Sequence, residues 1–130
     1  MKTVITFGTF DVFHVGHINI LQRASTFGDT LLVGVSTDKL NFSKKGRNPI
    51  YCEEDRMKII NSLRYVNLCF PEHSLEAKAD YIKKYNADVL VMGDDWQGKF
   101  DHLKEFCEVI YLPRTPSVST TEIIEVISSR

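Results

Sequence analysis

The sequence predicts an open α/β fold, with five parallel strands in one sheet and helices on both faces. Two observations carry this. Five short apolar runs rich in β-branched or aromatic residues recur along the chain, separated by stretches whose apolar residues keep helical spacing. The runs are continuously apolar rather than alternating, which is the pattern of strands covered on both sides.

The first strand is expected at Val4–Phe7, after which Ile20, Leu21, Ala24 and Phe27 mark a helix ending at Gly28. Leu31–Val35 is the second strand. Between Thr37 and Cys52 periodicity is lost, and Lys44, Lys45, Gly46, Arg47, Asn48 and Pro49 mix charge with turn formers, so a mobile basic loop is expected there. Met57, Ile60 and Leu63 indicate a helix, Val66–Phe70 the third strand, and Ala77, Tyr81 and Ile82 a further helix. Val89–Met92 and Val109–Leu112 complete the sheet, and Ile123, Ile124 and Ile127 mark a closing helix. With no repeat, low-complexity tract or linker, one domain spanning residues 1–130 is expected.

Composition narrows the function. A chain of 130 residues, 43% hydrophobic and 25% charged, suits a single globular core. The net charge of -1 excludes a protein that coats nucleic acid, so any anion site must be local. Cys52, Cys69 and Cys107 are odd in number and form no CxxC pair, which points away from disulfides or zinc; no metal held by the protein alone is expected. The apolar stretch Thr3–Phe7 is too short for a signal peptide and no run reaches membrane-spanning length. A cytoplasmic location without membrane insertion is therefore expected.

Two segments carry chemistry. The first strand runs into Gly8, Thr9, Phe10 and Asp11, and His14, Val15, Gly16 and His17 then open a helix. Free N–H groups and the helix dipole attract anions there, glycine permits close backbone approach, and two imidazoles three residues apart share an edge of the first turn. Polar surface histidines and a metal pair are the plainer accounts, but no third ligand follows at a suggestive spacing. The second segment follows the last strand: Arg114, Thr115, Pro116, Ser117, Val118, Ser119, Thr120 and Thr121 lead into the final helix. Helix capping by Ser119 or Thr120 is the ordinary explanation for such hydroxyls. Arg114 adds a bidentate phosphate donor, which favours an anion site.

Taken in this order, GTFDVFHVGH (residues 8–17), RYV (64–66), MGDDWQGKF (92–100) and RTPSVSTT (114–121) closely resemble the cytidylyltransferase family of the HxGH nucleotidylyltransferases, over essentially the whole chain. The resemblance implies a Rossmann-like sheet and transfer of CMP from CTP, carried with Mg²⁺, to a small phosphorylated alcohol. Glycerol 3-phosphate is the favoured acceptor, in a homodimer that serves teichoic-acid or capsule synthesis. It further implies that His14, His17 and Arg114 are catalytic. Thr9, Phe10, Asp11 and residues 14–17 would contact CTP, with residues 114–121 around its phosphates and Asp95 and Trp96 near the cytosine and ribose. Lys45 or Arg47 would approach the triphosphate, in a loop carrying an apparent one-residue insertion. Lys44, Arg56, Arg64 and Lys78 match positions that bear on the second substrate.

An acceptor phosphate already carries most of its second negative charge at neutral pH, so no strong base is required, and the histidines would stabilise charge on the transferred group and the leaving pyrophosphate. The chain departs from the family pattern at Ser117, where glycine is usual. It departs again at Asn67 and Leu75, where an acid and a tryptophan are common on the acceptor side. The acceptor therefore stays open among glycerol 3-phosphate, phosphoethanolamine, phosphocholine and other polyol phosphates. A silent nucleotide-binding sensor is the alternative of another class.

Overall fold

The structure is a computed structural model and describes residues 1–115 and 119–130. In chain order it contains β1 (Thr3–Gly8), α1 (Val15–Ser25), β2 (Thr30–Ser36), α2 (Asp38–Lys45), α3 (Glu53–Asn61), β3 (Leu68–Glu72), α4 (Lys78–Tyr85), β4 (Val89–Gly93), β5 (Glu108–Leu112) and α5 (Thr120–Ser128). All strand pairs are parallel and the sheet order is β3-β2-β1-β4-β5.

Because successive side chains of a strand point to opposite faces, the continuous apolar runs feed two separate cores. Val4, Leu31, Val33, Val89 and Val91 pack with Leu21 and Ala24 of α1 and Ile60 of α3 on one face. Ile5, Phe7, Leu32, Leu90 and Met92 pack with Ile82 of α4 and with Leu103 on the other. Helices therefore cover both faces, as the sequence predicted.

Strand order runs outward from β1 through β2 to β3, then resumes on the other side of β1 with β4 and β5. The direction of winding reverses between β1 and β4, and the crevice at the carboxyl ends of those two strands is where open α/β sheets bind ligands.

One expectation is corrected. Residues 38–45, read as part of a loop, form α2. Thr37 caps its start, its hydroxyl accepting the Leu40 N–H at 3.1 Å, and Gly46 closes it in the left-handed region (φ 72°) with its N–H on the Phe42 carbonyl at 2.8 Å. The helix buries Asn41 rather than an apolar stripe, so hydrophobic periodicity carries no signal for it. The third strand also begins later than expected, at Leu68.

Candidate active site

Leaving β1, the chain turns sharply. A side chain at Gly8 would stand 2.8 Å from the Phe10 ring, and Phe10 and Val12 both take positive φ, 55° and 46°. For a β-branched valine this is strained backbone, tolerated only where surroundings over-determine it. Asp11, between the two, supplies the restraint. Its carboxylate accepts the N–H groups of Val12, Ile50 and Tyr51 at 3.0, 2.7 and 2.8 Å, and its carbonyl accepts the Thr120 hydroxyl at 2.9 Å. Three parts of the chain thus meet at one aspartate: the β1 exit, the α2–α3 connection and the start of α5.

The turn delivers His14 to the N-cap of α1. Its Nδ1 accepts the Gly16 N–H at 3.0 Å, and the Nδ1 of His17 accepts the His14 N–H at 3.2 Å, so two imidazoles make a capping box usually made by hydroxyl and carboxylate. With each Nδ1 accepting, each neutral ring carries its proton on Nε2, which is the donor left for a ligand. The rings stack at 3.8 Å, and Phe10 and Phe13 pack against His17 at 5.4 and 5.3 Å. Burial, then the neighbouring His14, lowers the His17 pKa to about 4 despite the opposing Asp11 carboxylate. Burial, then Arg114, lowers that of His14. No acidic residue occupies the first turn of α1, so none offsets the positive end of its dipole there.

A cleft of about 670 Å³ opens over this helix end, between β1 and β4. Thr9, Phe10, Asp11, His14, Gly16 and His17 line one wall; Lys45 and Arg47 come from α2 and the chain after it, Asp95 and Trp96 from beyond β4. Arg114, Thr115, Ser119, Thr120 and Thr121 close the far side. Ser119 also caps α5, its hydroxyl accepting the Glu122 N–H at 3.1 Å, so capping and cleft lining coexist. Val15 stands exposed in the first turn of α1, and Pro116, Ser117 and Val118 lie outside the described residues. Four cations, Arg23, Lys45, Arg47 and Arg114, share the cleft with the carboxylates of Asp11, Asp95 and Glu125. The cleft lining thus carries a local excess of cations in a chain whose net charge is -1.

The model of the cytidylyltransferase-like family matches residues 5–126. The chain belongs to the cytidylyltransferase-like family. It is 51% identical over 128 residues to the glycerol-3-phosphate cytidylyltransferase of Bacillus subtilis, 98% of each chain, and 50% identical over 123 residues to that of Staphylococcus aureus, 95% of this chain and 92% of the other. Among solved structures, a lipopolysaccharide core biosynthesis protein from Thermoplasma volcanium superposes with a TM-score of 0.74 at 24% identity over 88% of this chain and 98% of that one, a likeness of fold.

Not every basic residue that the cytidylyltransferase resemblance marked reaches the cleft. Arg56 is corrected from substrate contact to internal strut. Its side chain is 0% exposed, and it donates to the carbonyls of Tyr51, Thr9 and Ser36 at 2.9, 2.9 and 2.7 Å and to the Asp38 carboxylate at 2.7 Å. Lys78 is buried too. Its ammonium meets Glu72 at 2.6 Å and lies over the Phe7 and Phe100 rings, so this geometry offers it to no ligand. Burial pushes Glu72 above the usual carboxylate range, with Lys78 and Lys44 pulling the other way. Lys44 sits beside that pair, outside the cleft lining, its own pKa lowered chiefly by burial.

Arg64 is exposed, bonded only to the Tyr65 hydroxyl at 3.1 Å among the described residues, and precedes β3. That places it at the amino edge of the sheet, opposite the cleft. Asn67 lies at the same edge, its side-chain oxygen accepting the Leu31 N–H at 2.9 Å, so it does not stand on the acceptor side as expected.

Residues without a sequence signal also shape the site. Thr9 Oγ1 joins Ser36 Oγ at 3.1 Å and Asn41 Oδ1 at 2.9 Å, while the amide of Asn41 bonds Ser36 Oγ and the Thr37 carbonyl, each at 2.9 Å. Asn41 was hidden because α2 was.

The histidine pair also makes stability pH-dependent. An unfolded chain binds a proton at His17 near pH 6.5, the folded one only near 4, so acid favours unfolding between those values and the stabilisation is complete above them. The expected loss from pH 7 to pH 4 is about 3 kcal/mol. Urea unfolding of wild type and His17→Gln at both pH values checks this: the variant should lose distinctly less.

Proposed function

We propose that the protein transfers CMP from CTP to sn-glycerol 3-phosphate, releasing pyrophosphate and forming CDP-glycerol. One observation carries the reading: two neutral imidazoles, fixed by their own capping box, present Nε2–H donors at a helix N-terminus with Arg114 across the same cleft. The half-identical relatives named above, matched over nearly their whole length, supply the acceptor.

In this reaction an oxygen of the acceptor phosphate forms a bond to the α-phosphorus of CTP as the bond to the pyrophosphate oxygen breaks, in line. The attacking phosphate is mostly dianionic at pH 7, so no residue needs to take a proton from it. The work left to the protein is electrostatic. His14 and His17 donate to the phosphoryl oxygens without bringing fixed charge, while the positive end of the α1 dipole, Arg114 and the Lys45–Arg47 cations stabilise the growing negative charge. Asp95 and Trp96 line the end of the cleft that would receive the cytidine.

Among the described residues no group of three His, Cys, Asp or Glu side chains is placed to hold a metal, and Asp11 is already bonded to three N–H groups. Such a donor set would suit Mg²⁺ brought in on the triphosphate, with Asp95 and Glu125 the remaining cleft carboxylates that would help hold it. When bound, the ion neutralises phosphate charge.

A homodimer is part of the proposal, supported by Val126 and Ile127 of α5, 52% and 63% exposed; so is a cytoplasmic location. Among the described residues no helix is long and apolar enough to cross a membrane.

Pyrophosphate release is the test. CTP with glycerol 3-phosphate should release one pyrophosphate per CDP-glycerol, with little release from ATP and slower release with phosphocholine or phosphoethanolamine. Release with another acceptor only would overturn the acceptor; none with any acceptor would overturn the enzyme reading in favour of a binding module.

A further inference from the structure

Arg114 is the one cleft cation on the far wall whose side chain has, among the described residues, no hydrogen bond or ion pair of its own, although it lies close enough to depress the His14 pKa. Its chain neighbours, by contrast, are tied to the fold. Both neighbours are held by α1, the helix that carries the histidines. The Asn19 amide donates to the Thr115 hydroxyl at 3.1 Å, and Arg23 Nη1 donates to the Pro113 carbonyl at 3.2 Å. Asn19 and Arg23 are four residues apart and so share one face of α1, one turn above the other. They hold the backbone before Arg114, at the Pro113 carbonyl, and the side chain after it, at the Thr115 hydroxyl, and Arg114 itself lines the cleft.

We propose that Asn19 and Arg23 are positioning residues that set Arg114 against the histidine pair, so that both phosphate-binding walls are referenced to one rigid helix. This rests on the nucleotidyl-transfer reading above. The physical need is plain: donors act on a transition state only when held where charge develops, and a displacement of about 1 Å costs about 100-fold. Residue 113, a proline, fixes its own φ, but the torsions of Arg114 itself stay soft unless both flanks are anchored.

Two plainer roles compete. Arg23 lines the cleft and lies in the last turn of α1, so it could touch phosphate directly or merely complement the helix dipole. A double-mutant cycle separates them. Asn19→Ala with Arg23→Met is expected to lower kcat about 10- to 100-fold, with KM for CTP moving less and the melting temperature nearly unchanged. Arg23→Lys, which keeps a donor, should restore much of the loss. In an Arg114→Ala background the same two substitutions should cost less than twofold, because the residue they position is gone.

A full-sized effect in that background would overturn the proposal, since it would show Arg23 or Asn19 acting independently of Arg114. Wild-type kcat in the Asn19→Ala, Arg23→Met protein would overturn it too while leaving the nucleotidyl-transfer reading intact. Near-normal turnover of Arg114→Ala alone would instead remove the reading on which both rest.

Discussion

His14→Asn and His17→Gln should each lower kcat by about 10³-fold while the protein keeps its fold. The two replacements are chosen from the hydrogen-bond pattern. His14 is the N-cap and His17 the third helical residue of α1, with Nδ1 of each accepting a backbone N–H. Asparagine is a preferred N-cap acceptor and glutamine a preferred partner at the third position, so the capping box survives. What disappears is Nε2–H and the stacked ring. Alanine would confuse the issue, because losing a cap costs about 1 kcal/mol in its own right. If the histidines act only by capping, the conservative pair will turn over normally. A loss in kcat with KM for CTP nearly unchanged would mark an interaction made mainly in the transition state. A comparable rise in KM with unchanged kcat would reassign the imidazoles to ground-state nucleotide binding.

How the sequence foretold this site, and where it did not, follows from what kind of signal each part leaves. Buried strands of a parallel sheet are continuous apolar runs, and all five were legible. Helices with an apolar stripe, α1 and α3 above all, were legible from spacing. The cleft walls were legible because chemistry and position coincide there: histidines at a helix start, and an arginine with hydroxyls before another. α2 left no trace in hydrophobic periodicity, since it is held by a threonine cap, a left-handed glycine and a buried asparagine. Basic side chains were the least legible. Nothing in the residue type says whether a guanidinium faces a ligand or a set of carbonyls, and Arg56 turned inward while Arg64 fell at the far edge of the sheet. Arg23 shows the converse. It reads as an ordinary last-turn cation of a helix until β5 places Pro113 beside it, a juxtaposition of residues ninety positions apart.

Arg56→Met is expected to lower the melting temperature by about 15 °C. The guanidinium sits at 0% exposure with three carbonyls and a carboxylate as partners. Methionine fills similar volume, so cavity formation is a minor part of the change. The dominant cost is what the partners lose: the Thr9 and Tyr51 carbonyls lose their guanidinium donor, the Ser36 carbonyl keeps only the Asn41 amide at 3.3 Å, and the Asp38 carboxylate loses its counter-ion. Breaking one side of such a buried pair costs about 3–5 kcal/mol, and in a domain of this size each kcal/mol moves the midpoint by about 3–5 °C. Asp38 is itself 32% exposed, so Asp38→Asn should cost less than half as much, solvent replacing part of its bond. Position matters as well as energy. Arg56 holds the Tyr51 carbonyl while Asp11 holds the Tyr51 and Ile50 N–H groups, so the two residues fix the same connection from opposite sides. That connection begins after Lys45 and carries Arg47. Folded Arg56→Met protein, assayed well below its midpoint, should therefore show a raised KM for CTP with the histidine-dependent chemistry still in place. Normal stability with lost acceptor binding would instead return Arg56 to direct substrate contact.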